Sequence, residues 1–216
     1  MKKLTLLVSA FALMITGALA EVNLGVSAMY LDVEASGKQK LKTSNLEATK
    51  THSDDAMAAE LFLEAVNSDG LVLGIAVIPG EAEIGSSSES RTDKLTSGTV
   101  TVTNKAAAEF SNHTTLYTNI PLRGSDAYVK LGLGFVNVKS TESLGTGAQY
   151  GDENVNFGTI GLGYNRTLDN GLFARVEGSY SSYEEISLNS TGSDAVSTIT
   201  ADLDVITARF SIGKTF

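Results

Sequence analysis

Seven charged residues, Glu60, Glu64, Glu109, Lys130, Arg175, Glu177 and Arg209, stand in stretches where alternate positions are apolar and the charge falls on the other parity. In an extended chain residues two apart share a face, so all seven are expected opposite the apolar side chains. Carboxylates and cations gathered on one enclosed face have two uses. They can pair into a static ionic plug, because a buried charge without a partner is too costly to keep. They can also exchange partners and so gate ions or water. Counted from the strand ends, Glu64, Lys130 and Arg175 belong to one layer and Glu60, Glu177 and Arg209 to the next.

Other chemistry has less to stand on. The two histidines are His52 and His113. A nucleophile needs a base and a third group that orients it; His52-Ser53 supplies two of the three, and no triad is legible. With no cysteine in the chain, a disulfide framework, a thiolate metal site and a cysteine nucleophile are all excluded. The glycines at 132, 134, 158, 161 and 163 are not phosphate loops, since no helical periodicity follows to present N–H groups to an anion. The acidic residues Asp54, Asp55, Glu81, Glu83, Asp152 and Glu153 lack the spacing of a calcium loop; they could bind divalent cations between lipopolysaccharide phosphates, and plain solvated charges are the expected reading. No cofactor and no metal are expected.

The elements that position the charges alternate with a period of two. Eight segments do so: 22–30, 59–65, 71–77, 106–120, 129–135, 160–164, 172–180 and 206–216. In the clearest, Val129, Leu131, Leu133 and Phe135 oppose Lys130, Gly132 and Gly134. Strict alternation over such lengths is the mark of a strand with two unlike faces. Three connections are short: Asn67-Ser68-Asp69-Gly70, the stretch 121–126, and Leu168-Asp169-Asn170-Gly171. The other four, near 33–55, 79–104, 139–154 and 181–200, are long and polar, although Thr99 to Thr103 alternates and could extend its strands.

Composition narrows the class. The chain has 216 residues, a formal charge of −9 and no tryptophan. The acidic balance argues against a nucleic-acid partner, which needs a basic face. Residues 1–20 read as a signal peptide: Lys2 and Lys3, an apolar run to Leu19, and the small-x-small exit Ala18-Leu19-Ala20. Its removal would leave residues 21–216 two charges more acidic. No later apolar run reaches the roughly 20 residues of a spanning helix. An exported water-soluble β-protein and a closed membrane barrel both fit to this point. The long-short alternation of connections favours the barrel, with short turns on the periplasmic side and long external loops. An apolar face would then meet lipid while small and charged residues fill the lumen.

The stretches Tyr128-Val129-Lys130-Leu131-Gly132-Leu133-Gly134-Phe135, Gly161-Leu162-Gly163-Tyr164 and Leu172-Phe173-Ala174-Arg175-Val176-Glu177 resemble the small outer-membrane β-barrels of Gram-negative bacteria, of the OmpA transmembrane-domain and opacity-protein type. The resemblance runs over residues 22–216. It implies an eight-stranded antiparallel up-and-down transmembrane β-barrel in the cell outer membrane, monomeric, in contact with outer-membrane lipid and lipopolysaccharide. The terminal Phe216 resembles the family's assembly signal for the barrel-assembly machinery, and Lys214 departs from the usual apolar residue there. Aromatic girdles fall to Tyr30, Tyr164, Tyr180, Tyr183 and Phe216. The expected role is a non-enzymatic surface-loop scaffold for adhesion, contact with a surface ligand or phage, or envelope integrity. A narrow ion or small-solute channel is the alternative.

Overall fold

The computed structural model describes residues 19–41, 47–95, 98–143, 149–191 and 197–216; the expected signal peptide up to residue 18 and the tips of the long connections lie outside these. Ten strands follow in order: β1 Leu19–Leu41, β2 Glu47–Asn67, β3 Val72–Val77, β4 Glu81–Leu95, β5 Gly98–Pro121, β6 Ala127–Ser143, β7 Glu153–Thr167, β8 Leu172–Tyr183, β9 Ile186–Asn189 and β10 Ser197–Thr215. β3 and β4 both pair with β5, and β8 and β9 both pair with β10. Each couple is one interrupted stave, so the wall has eight. Every pairing is antiparallel, and β1 closes onto β10 from Asn23↔Thr215 to Leu41↔Ser197. Closure leaves the membrane-level ladder without an edge, the condition for a sheet to survive in lipid.

The short connections set the register. In the first, the Asn67 Oδ1 accepts the N–H groups of Asp69 at 3.0 Å and Leu71 at 2.9 Å, and Gly70 takes a φ of 79°. The third is a one-turn 3-10 segment, Asp169–Gly171. Asn170 and Gly171 have φ values of 71° and 77° there, a region suited to Asn and Gly. In the second, Asp126 accepts bonds from Tyr164 Oη and Arg166 Nη1, each at 3.0 Å. These donors hold its carboxyl below the ordinary range, so this small exposed contribution is present above the carboxylate's usual pKa and fades as pH falls through the lowered one.

The outer wall carries the apolar parity. Leu24, Val26, Leu61, Leu63, Leu131, Leu133, Ile160, Leu162, Val176, Ile206, Phe210 and Ile212 are all exposed. In water such a band would be an aggregation surface; in lipid it is the solvent contact. Tyr30, Tyr164, Tyr180 and Phe216 are exposed on it. Tyr183 departs from expectation: it faces the lumen, stacks on Phe110 and lies tilted against Phe157.

Two further expectations change. The polar stretch 33–55 is mostly strand, with β1 running to Leu41 and β2 starting at Glu47; in 79–104 the extension that the alternation at Thr99 to Thr103 left open is present, β4 and β5 forming a hairpin paired from Glu81↔Ser111 to Leu95↔Gly98. Ladder bonds satisfy the backbone as well beyond the membrane as within it, so pairing continues where apolar alternation stops. β5 also carries a bulge, with Ser111↔Asn137 and Thr114↔Phe135 leaving Asn112 and His113 together opposite Val136. The extra residue shifts parity. Thr115, Tyr117 and Asn119 are buried on one side of it and Phe110 on the other.

The lipid-facing assignment predicts a depth profile. Val176→Arg near mid-wall should cost about 2–4 kcal/mol and Leu172→Arg at the turn end about 0–1 kcal/mol, read by urea titration of the barrel in vesicles. Equal costs at the two positions would contradict the placement of the band.

Candidate functional site

Charges of both signs converge in the lumen, and small residues make room for them. Gly25↔Phe62, Gly74↔Tyr117, Gly163↔Tyr128, Gly134↔Phe157 and Gly213↔Phe173 are all direct cross-strand pairs. In each, a Cβ on the glycine would overlap its partner's ring. Rings therefore lie against the bare backbone of the neighbouring strand and turn their edges and hydroxyls to the centre.

Four of those rings frame the layer nearest the short turns. Arg175 Nη1 and Nη2 donate to Glu64 Oε1 and Oε2 at 2.6 and 3.0 Å, a bidentate pair. Tyr117 Oη donates to Glu64 Oε1 at 2.7 Å, and Asn23 Nδ2 donates to Oε2 at 2.9 Å. The Arg175 guanidinium carbon lies 5.2 to 5.5 Å from the centroids of Phe173, Tyr128 and Phe62, within cation–π range. Glu64 is 1% exposed, so these donors replace water entirely.

The next layer centres on Glu177. Its Oε1 accepts from Lys130 Nζ at 3.0 Å and from Arg209 Nη1, and its Oε2 accepts from Tyr128 Oη at 2.7 Å. Arg209 Nη2 reaches Glu60 Oε2 at 3.3 Å, and Ser27 Oγ lies between Glu60 and Ser211. The Lys130 ammonium also stands 4.2 Å over the Tyr117 ring, tying the two layers together. Three carboxylates meet three cations.

Six of the seven charges expected in the lumen are thus brought together, in a different arrangement. Lys130 belongs with Glu177 instead of Glu64, because Arg175 already holds both Glu64 oxygens. Glu109 stays out: beyond the bulge it is next to Phe110 and in register with Lys139, on the outer parity. Sequence reading also missed Asn23, Tyr117 and Tyr128 as carboxylate donors. Their lumenal parity was legible, but their hydroxyls and amide carried no charge to draw notice.

Beyond the second layer the lumen turns apolar. Met29, Leu31, Val33, Phe110, Val136, Val138, Val155, Ile186, Leu203 and Val205 form one buried cluster. His113 stacks on Phe157 with centroids 4.7 Å apart, and its Nε2 lies 3.3 Å from Tyr183 Oη. Between the charged and apolar regions is an enclosed cavity of about 30 Å³, lined by His113, Thr115, Lys130, Thr159, Thr207 and Arg209 among others. That holds about one water. His52 lies on β2, 3.8 Å from Asp54. Among the described residues no group of three His, Asp or Glu side chains could hold a metal ion.

The Glu64–Arg175 pair yields a stability prediction. Arg175→Met should cost about 3–5 kcal/mol, because it strands a buried carboxylate, and the double change Glu64→Gln/Arg175→Met should cost less than the single one. Urea titration of the four variants gives the coupling, and additive effects would mean that the pair is not insulated from water.

No family model matches the chain, and no curated protein matches it either. Solved structures do match. The outer membrane protein OprG from Pseudomonas aeruginosa superposes with a TM-score of 0.58 at 15% identity, over 94% of this chain and 99% of that one. The outer membrane protease OmpT from Escherichia coli follows with a TM-score of 0.53 at 10% identity, over 92% and 98%. At such identities the likeness concerns fold alone. Closed antiparallel wall, apolar exterior, charged interior and these matches agree: the chain has the fold of the small outer-membrane β-barrels.

Proposed function

We propose that the protein is a non-enzymatic barrel of the cell outer membrane, closed along its axis, that serves as a rigid scaffold for surface contacts. The observation that carries this is a lumen occupied at each level, first by the Glu64 and Glu177 ion-pair layers and then by the apolar cluster. An eight-stranded barrel has an interior that side chains can fill. With its axis filled, the surface left for function is the sheet that β1, β2, β4 and β5 carry beyond the apolar band. Contacts on a rigid frame are where binding usually sits, and an adhesion partner, a surface ligand or a phage would meet this part. Lipid and lipopolysaccharide would surround the band.

Phe216 fits the role of assembly signal. Its backbone exchanges bonds with Val22 at 2.9 and 3.2 Å, its ring is exposed, and Lys214 Nζ stands 5.5 Å over that ring. The lysine thus covers the aromatic and reaches the interface.

Conductance in planar bilayers tests the reading. The refolded barrel should be electrically silent, and a Glu60→Ala/Glu64→Ala variant should be silent too, since the apolar cluster still blocks the axis. Steady openings that change in the variant would make the protein a conduit and its lumenal charges a gate.

A further inference from the structure

We propose that the cleft between β2 and β4 receives an extended, basic peptide as an added strand. The inference deepens the scaffold reading by naming the chemistry of a partner.

The cleft exists because the wall is not laddered to its full height. β2 pairs with β1 from Asn67 to Glu47, but its other edge pairs with β3 only as far as Leu61↔Val77. The chain then breaks at Ile78-Pro79-Gly80, and β4 resumes at Glu81 paired with β5. From Ala59 onward, β2 and β4 face each other without a ladder between them. In the turn, Asn67 N–H donates to Leu71 O at 3.0 Å, so odd-numbered residues of β2 present their backbone groups to this side. Ala59, Met57, Asp55 and Ser53 continue that series with no strand to meet. Asp55 shows the consequence: its N–H is taken at 2.9 Å by the side chain of its own neighbour, Asp54 Oδ1.

The cleft is about 530 Å³ and is lined by the consecutive residues Asp54 to Ala59 together with Ile78, Pro79 and Glu81. Successive residues of a strand point to opposite faces. A cavity touched by six in a row therefore runs along the strand's edge and not over one face. Met57 is the last apolar residue of β2 on the outer parity and Asp55 comes next. The edge thus lies just past the lipid-facing band, where unpaired backbone groups are tolerable and a water-borne chain can reach them.

Charge selects the occupant. Among the described residues the lining holds three carboxylates, Asp54, Asp55 and Glu81, and no lysine or arginine; Glu81 pairs with Lys139 and Asp54 lies 3.8 Å from His52. Edge carboxylates discourage pairing with neutral or acidic strands. A second copy of this chain would bring the same carboxylates and be repelled. A segment alternating basic and apolar residues would complete the ladder by its backbone and neutralise the rim by its side chains, the strand-addition mode of peptide recognition.

The test uses the full barrel in zwitterionic vesicles and a capped six-residue peptide of alternating Lys and Val. Its acidic Glu/Val counterpart and a Lys/Val peptide N-methylated at alternate residues are the controls. Hydrogen exchange should show the Lys/Val peptide slowing the amides of Ser53 and Met57, and neither control doing so. Ser53→Pro removes one cleft-facing N–H that the β1 ladder does not use, and Asp54→Asn/Asp55→Asn removes the charge; each should raise the Kd by about tenfold or more, with heat-modifiable migration showing the barrel intact. Equal binding of the N-methylated peptide, protection elsewhere, no protection, or self-association of the barrel through the same amides would each overturn the proposal. The scaffold reading fails on different data, the conductance records, so the two are separable.

Discussion

The carboxylate of Glu64 is buried to the point of losing all contact with water, and most of the lumen is arranged around keeping it charged. Arg175 grips both oxygens, and Tyr117 and Asn23 donate to what remains. An ion so placed is stable only if every lone pair finds a donor. Those donors come from β1, β5 and β8, which meet only when the barrel has closed. Tyr117, fixed by Glu64, offers its ring to Lys130; Tyr128, beside Arg175, offers its hydroxyl to Glu177. Glu177 in turn anchors Arg209, and Arg209 reaches Glu60. The chain of dependence leads from one ion pair to all six buried charges.

The rings that make this network possible need strands without side chains beside them. Five lumenal aromatics each lie against a glycine in direct register. A slip by one residue would turn every side chain to the wrong side of the wall and also separate each ring from its gap. Turn geometry and lumenal packing thus specify the same register. Such agreement between local and distant constraints is what gives a chain a single native state.

The interior is divided into two regions along the barrel axis. Ion pairs occupy the end near the termini, and apolar side chains with a stacked histidine occupy the far half. An ion crossing the first region would meet the second as a barrier with no polar partners to replace its water. A gap in the closed wall lies beyond the lipid band, where β2 and β4 part company. Pro79 sits in that break, and a residue without an N–H is a natural place for a ladder to end.

Much of this was legible in the chain. Alternation at Val129 to Phe135 or Leu172 to Tyr180 identifies strands and their unlike faces, because side-chain direction in a strand is a local property. Asn67 to Gly70 and Asp169 to Gly171 mark turns for reasons equally local. From these came the eight staves, the lipid-facing parity and six of the seven lumenal charges. What the chain withheld was non-local. Which carboxylate Lys130 meets depends on Arg175 having claimed Glu64. Glu109 leaves the lumen because Asn112 and His113 bulge against Val136, a mismatch between two strands that neither contains alone. Tyr183 turns inward to meet Phe110 and Phe157, and one edge of β2 runs unpaired beyond Leu61 because β3 stops. Parity belongs to a strand; partners belong to the register between strands, and only closure of the barrel decides that.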